Sequence, residues 1–239
     1  MGAFVMDSRF GMSQGFETYF DRFDTTAEDF SGGFVVQRRG DKVLEPALAW
    51  MEQSREEPFF AFLHFYDPHT PYDPPSPHRP SHDAVASLYA GEVAFVDALV
   101  GRLWRWLEDR NLLGRTIVAV TSDHGESLGE HDEQTHGFFL YEATLRVPWV
   151  LHYPGAPSGV RVPKLVRLID VAPTLLDLMD ISLSEDIDGR SLLPLLRGEE
   201  KGNAVPAYAE TFLPRLQYGW SELRSLREER RHPVIAGDA

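Results

Sequence analysis

Residues 116–148 read TIVAVTSDHGESLGEHDEQTHGFFLYEATLRVP, and this stretch decides the fold. Positions 117–120 are apolar and rich in β-branched side chains, the pattern of a buried strand. The strand runs without a spacer into Ser122-Asp123-His124-Gly125-Glu126, a segment dense in groups that meet a metal, a proton or an anion. Ligands of an open α/β sheet gather at the carboxyl ends of its strands, so chemistry is expected here. Glu130-His131-Asp132 and His136 follow closely.

The rest of the chain supplies the alternation that such a sheet requires. Asp41 is placed to cap a helix running to about Arg55, on which Val43, Leu44, Ala47, Leu48 and Met51 recur at helical spacing. After Pro58, residues 59–65 form a dense apolar run read as a central strand. It ends in Tyr66-Asp67-Pro68-His69-Thr70-Pro71-Tyr72 and a proline-stiffened loop to about Pro80. Residues 84–110 read as a second helix, stopped by Asn111 and Gly114 before the strand that leads to Asp123. Downstream, the pattern predicts a strand over 147–153, a short helix over 170–179, a helical turn over 191–196 and a short strand over 207–210. Gly2 to Val5 is strand-like, and residues 4–30 form a loop-rich, aromatic segment carrying Phe4, Phe10, Phe16, Tyr19, Phe20, Phe23 and Phe30. Strands alternating with helices favour an α/β fold with a largely parallel or mixed central sheet.

Composition narrows the function classes. With 239 residues, 43% of them hydrophobic and 25% charged, the chain can bury one substantial core. It has no cysteine, which excludes disulfides and a thiol nucleophile. Its formal net charge of −14 argues against nucleic acid or an anionic membrane as a general partner, and an anionic substrate would need a local cation to offset that field. No apolar run approaches the roughly 18 residues that span a bilayer. The opening MGAFVMDSRFGMSQGF lacks the basic region and apolar core of a secretory signal.

Individual residues admit two readings each. Asp123 and His124 serve as half of a metal site if the turn at Gly125 brings both toward one ion, or else as a capping carboxylate and a hydrogen-bonded imidazole. Imidazole leans toward manganese or zinc over calcium. His69, held between two prolines, is a functional histidine or a surface one. His136 is a proton donor to a leaving group or a cationic contact for an anion. Arg146 is read as an ion-pair partner and His64 as a core histidine. Glu126, Glu130, His131, Asp132 and Glu133 are read as a solvated loop that includes some partners of the site.

These pieces together resemble the sulfatase pattern of the alkaline phosphatase superfamily. Ser122-Asp123-His124-Gly125-Glu126 with Leu128-Gly129-Glu130-His131 is similar to that family's strand-end signature, and Pro68-His69-Thr70-Pro71 to its Pro-His-x-Pro loop. His136 stands where the family has a lysine or histidine that contacts the sulfate. Asp188-Gly189-Arg190-Ser191-Leu192-Leu193-Pro194-Leu195-Leu196, Gln14-Gly15-Phe16 and Tyr208-Ala209-Glu210-Thr211 also fit. The resemblance implies an alkaline-phosphatase-like α/β/α sandwich over residues 1–225, with 226–239 as an unmatched tail. It implies a hydrolase of sulfate monoesters, acting on a sulfated small molecule or glycan, with one divalent cation: calcium first, manganese as the alternative. Asp123 and His124 would ligate the metal. His69 and His136 would contact the sulfate, one of them protonating the leaving alkoxide.

The resemblance also implies a formylglycine nucleophile made within Cys/Ser-x-Pro-x-Arg, and no such motif occurs here; Ser76-Pro77-His78-Arg79 has its proline one place too early. The expectation is therefore a truncated portion of a sulfatase, central and C-terminal, whose partner would be the missing N-terminal half. An export signal for a periplasmic or secreted location would lie in that half, and without one the location is cytoplasmic. Two further readings stay open: a phosphonate or phosphate monoester hydrolase or phosphoryl transferase of the same superfamily, and a non-catalytic chain that binds a partner subunit.

Overall fold

The computed structural model describes residues 1–21, 23, 37–182, 187–199, 204–229 and 231–237, and divides into two compact units, Met1–Leu112 and Leu113–Ala239. In the first unit the two helices form where the apolar spacing places them: α1, Gly40–Ser54, and α2, Val85–Asp109. Helix α1 starts one residue before Asp41, which lies in its first turn paired with Arg39 at 2.8 Å. The open N–H of Gly40 instead donates to Asp67 Oδ2 at 2.8 Å, so a carboxylate from the loop after residue 65 takes the capping role assigned to Asp41. Burial is the main reason that the Asp67 carboxyl titrates above its ordinary range.

Leu44 of α1 and Phe95 and Leu99 of α2 form a buried cluster, against which Leu48, Leu63, Phe65 and Leu103 pack. Leu63 and Phe65 come from the run read as a central strand. Residues 59–65 do pass through this core, but they carry no ladder, and Phe60 is 65% exposed. An apolar run encodes a preference to be extended and half-buried; a strand also needs a partner for its backbone groups. The N–H of Gly2 donates to His64 Nδ1 at 3.3 Å, so the histidine read as a core residue is half-buried against the chain's first residues. The strand-like start at Gly2 to Val5 reduces to one bridge, Ala3 with Gln37, followed by a 3-10 turn at Phe4–Met6. The aromatic segment after it is irregular through Asp21, and Phe30 lies outside the described residues.

In the second unit β1, Val118–Thr121, pairs antiparallel with β2, Trp149–His152, in the register Thr121↔Trp149. Between them lies a short helix, α3, Glu142–Leu145. The predicted helices appear as α4, Val171–Leu178, and α5, Leu193–Leu196. The strand foreseen at 207–210 is β3, Ala207–Thr211, and it opens an antiparallel sheet with β4, Leu223–Arg227, and β5, Val234–Ala236; a helix α6, Leu213–Tyr218, joins the first two. Ladders among the described residues are thus antiparallel. The last two strands and α6 lie where the sequence shows no pattern. In β4 the position facing inward is Ser225, 3% exposed, so a polar residue hides the period-two signal of an apolar face.

Candidate functional site

The chain leaves β1 at Thr121, whose hydroxyl donates to the Pro148 carbonyl at 2.9 Å, and turns at once. Ser122 Oγ donates to the carbonyl of His124 at 2.6 Å, and the N–H of His124 donates to Asp123 Oδ1 at 3.0 Å. The turn closes at Gly125, whose N–H donates to the Thr144 carbonyl at 2.8 Å. A Cβ on Gly125 would lie 2.2 Å from the carbonyl oxygen of Ala143, a distance no side chain tolerates. Glycine is required here by close backbone approach, and that approach seats the Asp-His turn on α3.

This turn sets the tautomer of His124. Its Nδ1 lies 2.8 Å from the Gly125 carbonyl, which can only accept, so Nδ1 carries the proton. Nε2 then presents its lone pair, 3.8 Å from Asp123 Oδ2. Two donors at that separation can share one cation, and the backbone carbonyl behind the ring is the usual orienting partner of a metal-binding imidazole. Asp123 stands largely in water, its side chain 79% exposed. Among the described residues no group of three or more acids and histidines gathers around a single point. Asp123 and His124 therefore fit as two ligands of a divalent ion, while a hard cation takes about six or more in all.

His136 lies against this pair, its ring centroid 4.0 Å from that of His124. Its Nδ1 is 3.0 Å from Glu126 Oε1, and the Glu126 side chain is 5% exposed. Glu126 is the main reason that the His136 imidazolium persists above the ordinary histidine range; partial burial opposes it, and the carboxylates of Asp123 and Glu133 add to it. The Nδ1 contacts distinguish the two rings, His136 on the Glu126 carboxylate and His124 on the Gly125 carbonyl.

The loop between them is less solvated than its composition suggests. Glu130, His131 and Asp132 are exposed, but Ser127 and Glu133 are buried. Ser127 Oγ donates to the Glu133 carbonyl at 2.9 Å, and Glu133 Oε1 accepts from the N–H groups of Phe138 and Phe139 at 3.2 and 3.1 Å. Glu126 thus engages His136 directly, while Glu133 braces the backbone two and three residues beyond it, the two partners of the site within a loop read as mainly solvated. The available signal was the position of Glu126 inside the strand-end motif. Arg146, read as an ion-pair partner, is exposed and makes no ion pair among the described residues.

His69 belongs to the first unit. Its ring stacks on Tyr66 with centroids 4.1 Å apart; Nδ1 donates to the Thr70 carbonyl at 2.7 Å and Nε2 lies 3.0 Å from the Tyr66 hydroxyl. Buried Glu92 of α2 clamps the loop, Oε2 accepting from His69 N at 3.1 Å and Oε1 from Asp73 N at 2.7 Å. Of the four residues singled out in the sequence, Asp123, His124 and His136 come together in the second unit.

The sulfatase family profile matches residues 2–181. Arylsulfatase K of Rattus norvegicus is 41% identical over 111 residues, 46% of this chain and 20% of that one. A phosphonate monoester hydrolase from Silicibacter pomeroyi superposes with a TM-score of 0.71 at 22% identity, over 83% of this chain and 53% of that chain, a likeness of fold. A protein solved in complex with its substrate D-glucosamine-2-N,6-O-disulfate superposes with a TM-score of 0.51 at 30% identity, over 63% of this chain and 32% of that one. The chain thus matches a fifth of the rat relative's length and about half of the first structure's. These likenesses bear out the α/β, alkaline-phosphatase-like reading of the fold. With three-quarters of its length under one profile and the strand-end motif built as described, the chain belongs to the sulfatase family.

Proposed function

We propose that this chain carries the metal- and sulfate-binding part of a sulfuric ester hydrolase, with Asp123 and His124 as ligands of a divalent cation, calcium before manganese, and His136 as a contact for the sulfate. The observation that carries this reading is the paired orientation of two histidines: His124 Nε2 turned toward Asp123 Oδ2 at 3.8 Å, beside a His136 whose Nδ1 is engaged by Glu126 at 3.0 Å. A cation held at Asp123 and His124 supplies the positive charge that a sulfate ester needs on a chain of net charge −14. Glu126 accepts from Nδ1, so His136 meets the ester through Nε2 and can release a proton there to the leaving oxygen. Within the first unit, His69 is oriented by Tyr66 and Thr70. The covalent step needs a nucleophile that these 239 residues do not include, since no cysteine and no Ser-x-Pro-x-Arg is present.

Calorimetric titration of the full chain with calcium tests the metal ligands. Asp123→Ala and His124→Ala are each expected to abolish the binding isotherm; an unchanged isotherm in both removes the assignment. Titration with inorganic sulfate in the presence of calcium tests His136, whose replacement by alanine should weaken binding. Inorganic phosphate and methylphosphonate, run in parallel, separate sulfate preference from that of a phosphate or phosphonate ester hydrolase.

A further inference from the structure

A row of aromatic rings begins two residues after His136 with the half-buried Phe138 and ends in two exposed rings. Phe138 lies 5.6 Å, centroid to centroid, from Tyr218, and Tyr218 stacks on Trp220 at 4.9 Å and 27°. Tyr218 and Trp220 are each 57% exposed, an unusual cost for rings that could have been packed inward. The backbone maintains this pairing. Tyr218 ends α6, and Gly219 at φ +69° reverses the chain, its N–H donating to the Arg215 carbonyl at 3.0 Å, so that residues 218 and 220 stand side by side. The row is tied to the site by its other end, where Thr211 Oγ1 donates to the carbonyl of Gly137, the residue between His136 and Phe138.

Two arginines and two carboxylates stand on the neighbouring segments, Arg224 also reaching Glu210 at 3.9 Å. Arg215 and Arg224 share one carboxylate, Glu222, at 2.7 and 3.2 Å, and both guanidiniums remain more than half exposed. A flat, open aromatic surface with charged groups around it suits a ligand that is apolar on its ring faces and polar around its edge. A pyranose has this character, whereas a plain aryl group would gain most from an enclosed pocket. Further sulfates on such a sugar chain would complement the two arginines.

We propose that Tyr218 and Trp220 form a stacking subsite for the neighbouring sugar of a sulfated oligosaccharide whose reacting sulfate lies at His136. This deepens the reading given under Proposed function and rests on it. Calorimetric titration of the full chain with a heparin-derived tetrasaccharide, in the presence of calcium, tests the subsite. Trp220→Ala and Tyr218→Ala are each expected to weaken binding about tenfold, and Trp220→Phe to retain most of it because the ring face is kept. Absence of tetrasaccharide binding by the wild-type chain, or affinities in the alanine variants within about twofold of wild type, a difference of well under 1 kcal/mol, overturns the subsite. If sedimentation shows a dimer that Trp220→Ala dissociates, the rings pack between copies of the chain and the proposal also falls. Inorganic sulfate keeps the two readings apart. Weakened sulfate binding in His136→Ala with unaltered tetrasaccharide binding in the ring variants condemns the subsite alone. Tetrasaccharide binding that depends on Trp220, with sulfate binding indifferent to His136, condemns the sulfate assignment and leaves the stacking subsite standing.

Discussion

Glu126 Oε1 lies 3.0 Å from His136 Nδ1, and the carboxylate is almost wholly removed from water. A buried acid set against one imidazole nitrogen fixes the ring and favours its charged form. Glu126→Gln keeps an acceptor at the same place and removes the charge. The His136 titration midpoint, followed by the ring Cε1–H resonance, is expected to fall toward the ordinary histidine range in this variant. An unchanged midpoint would mean that Glu126 does not set the state of His136.

The same pair makes stability depend on pH. Because the folded-state pKa of His136 is raised, its contribution is fully present below the unfolded value of about 6.5 and is lost as pH rises through the folded value. In the metal-free chain, thermal scans from pH 5.5 to 8.5 should therefore show a decline on the alkaline side that His136→Gln flattens. A decline of equal steepness in the variant would assign it to other groups.

Gly125 is expected to be intolerant of any side chain. With its Cβ position 2.2 Å from the Ala143 carbonyl oxygen, Gly125→Ala must separate the Asp-His turn from α3. We expect a loss of at least about 2 kcal/mol in urea unfolding, as for overpacked sites where backbone has to move. A loss below about 0.5 kcal/mol, the range of ordinary surface substitutions, would show that the two segments part easily.

Glu92 holds the His69 loop by two backbone N–H groups while burial pushes its own carboxyl above the usual range. Removing it by Glu92→Ala leaves two donors to find water. The cost is expected to be about 2 kcal/mol, with faster hydrogen exchange at the His69 and Asp73 amides. Protection unchanged at both amides would contradict this clamp.

Much of this protein can be followed from residue patterns. Helices α1 and α2 come from apolar positions at helical spacing and sit within a residue or two of the expected bounds. The strand before Asp123 comes from a short apolar run that ends sharply in polar residues. What escaped was structure whose stabilisation is non-local. Helix α6 is six residues long with Pro214 in its first turn, too short for a period to register, and β4 buries a serine. Residues 59–65 had the reverse fate, with the composition of a strand and no ladder.

The sequence alone determined the chemistry available at the strand end: which carboxylates, which imidazoles, and the absence of a thiol, because those depend on residue identity and local order. It also determined the family, since the strand-end motif, the Pro-His-x-Pro loop and their order along the chain survive without coordinates. Tertiary structure alone decided how the charges are shared. Glu126 and His136 are ten positions apart, and Glu133 reaches the backbone of Phe138 and Phe139 by folding back through a loop. Whether a carboxylate is solvated or buried against an imidazole is set by that chain path, and periodicity carries no record of it.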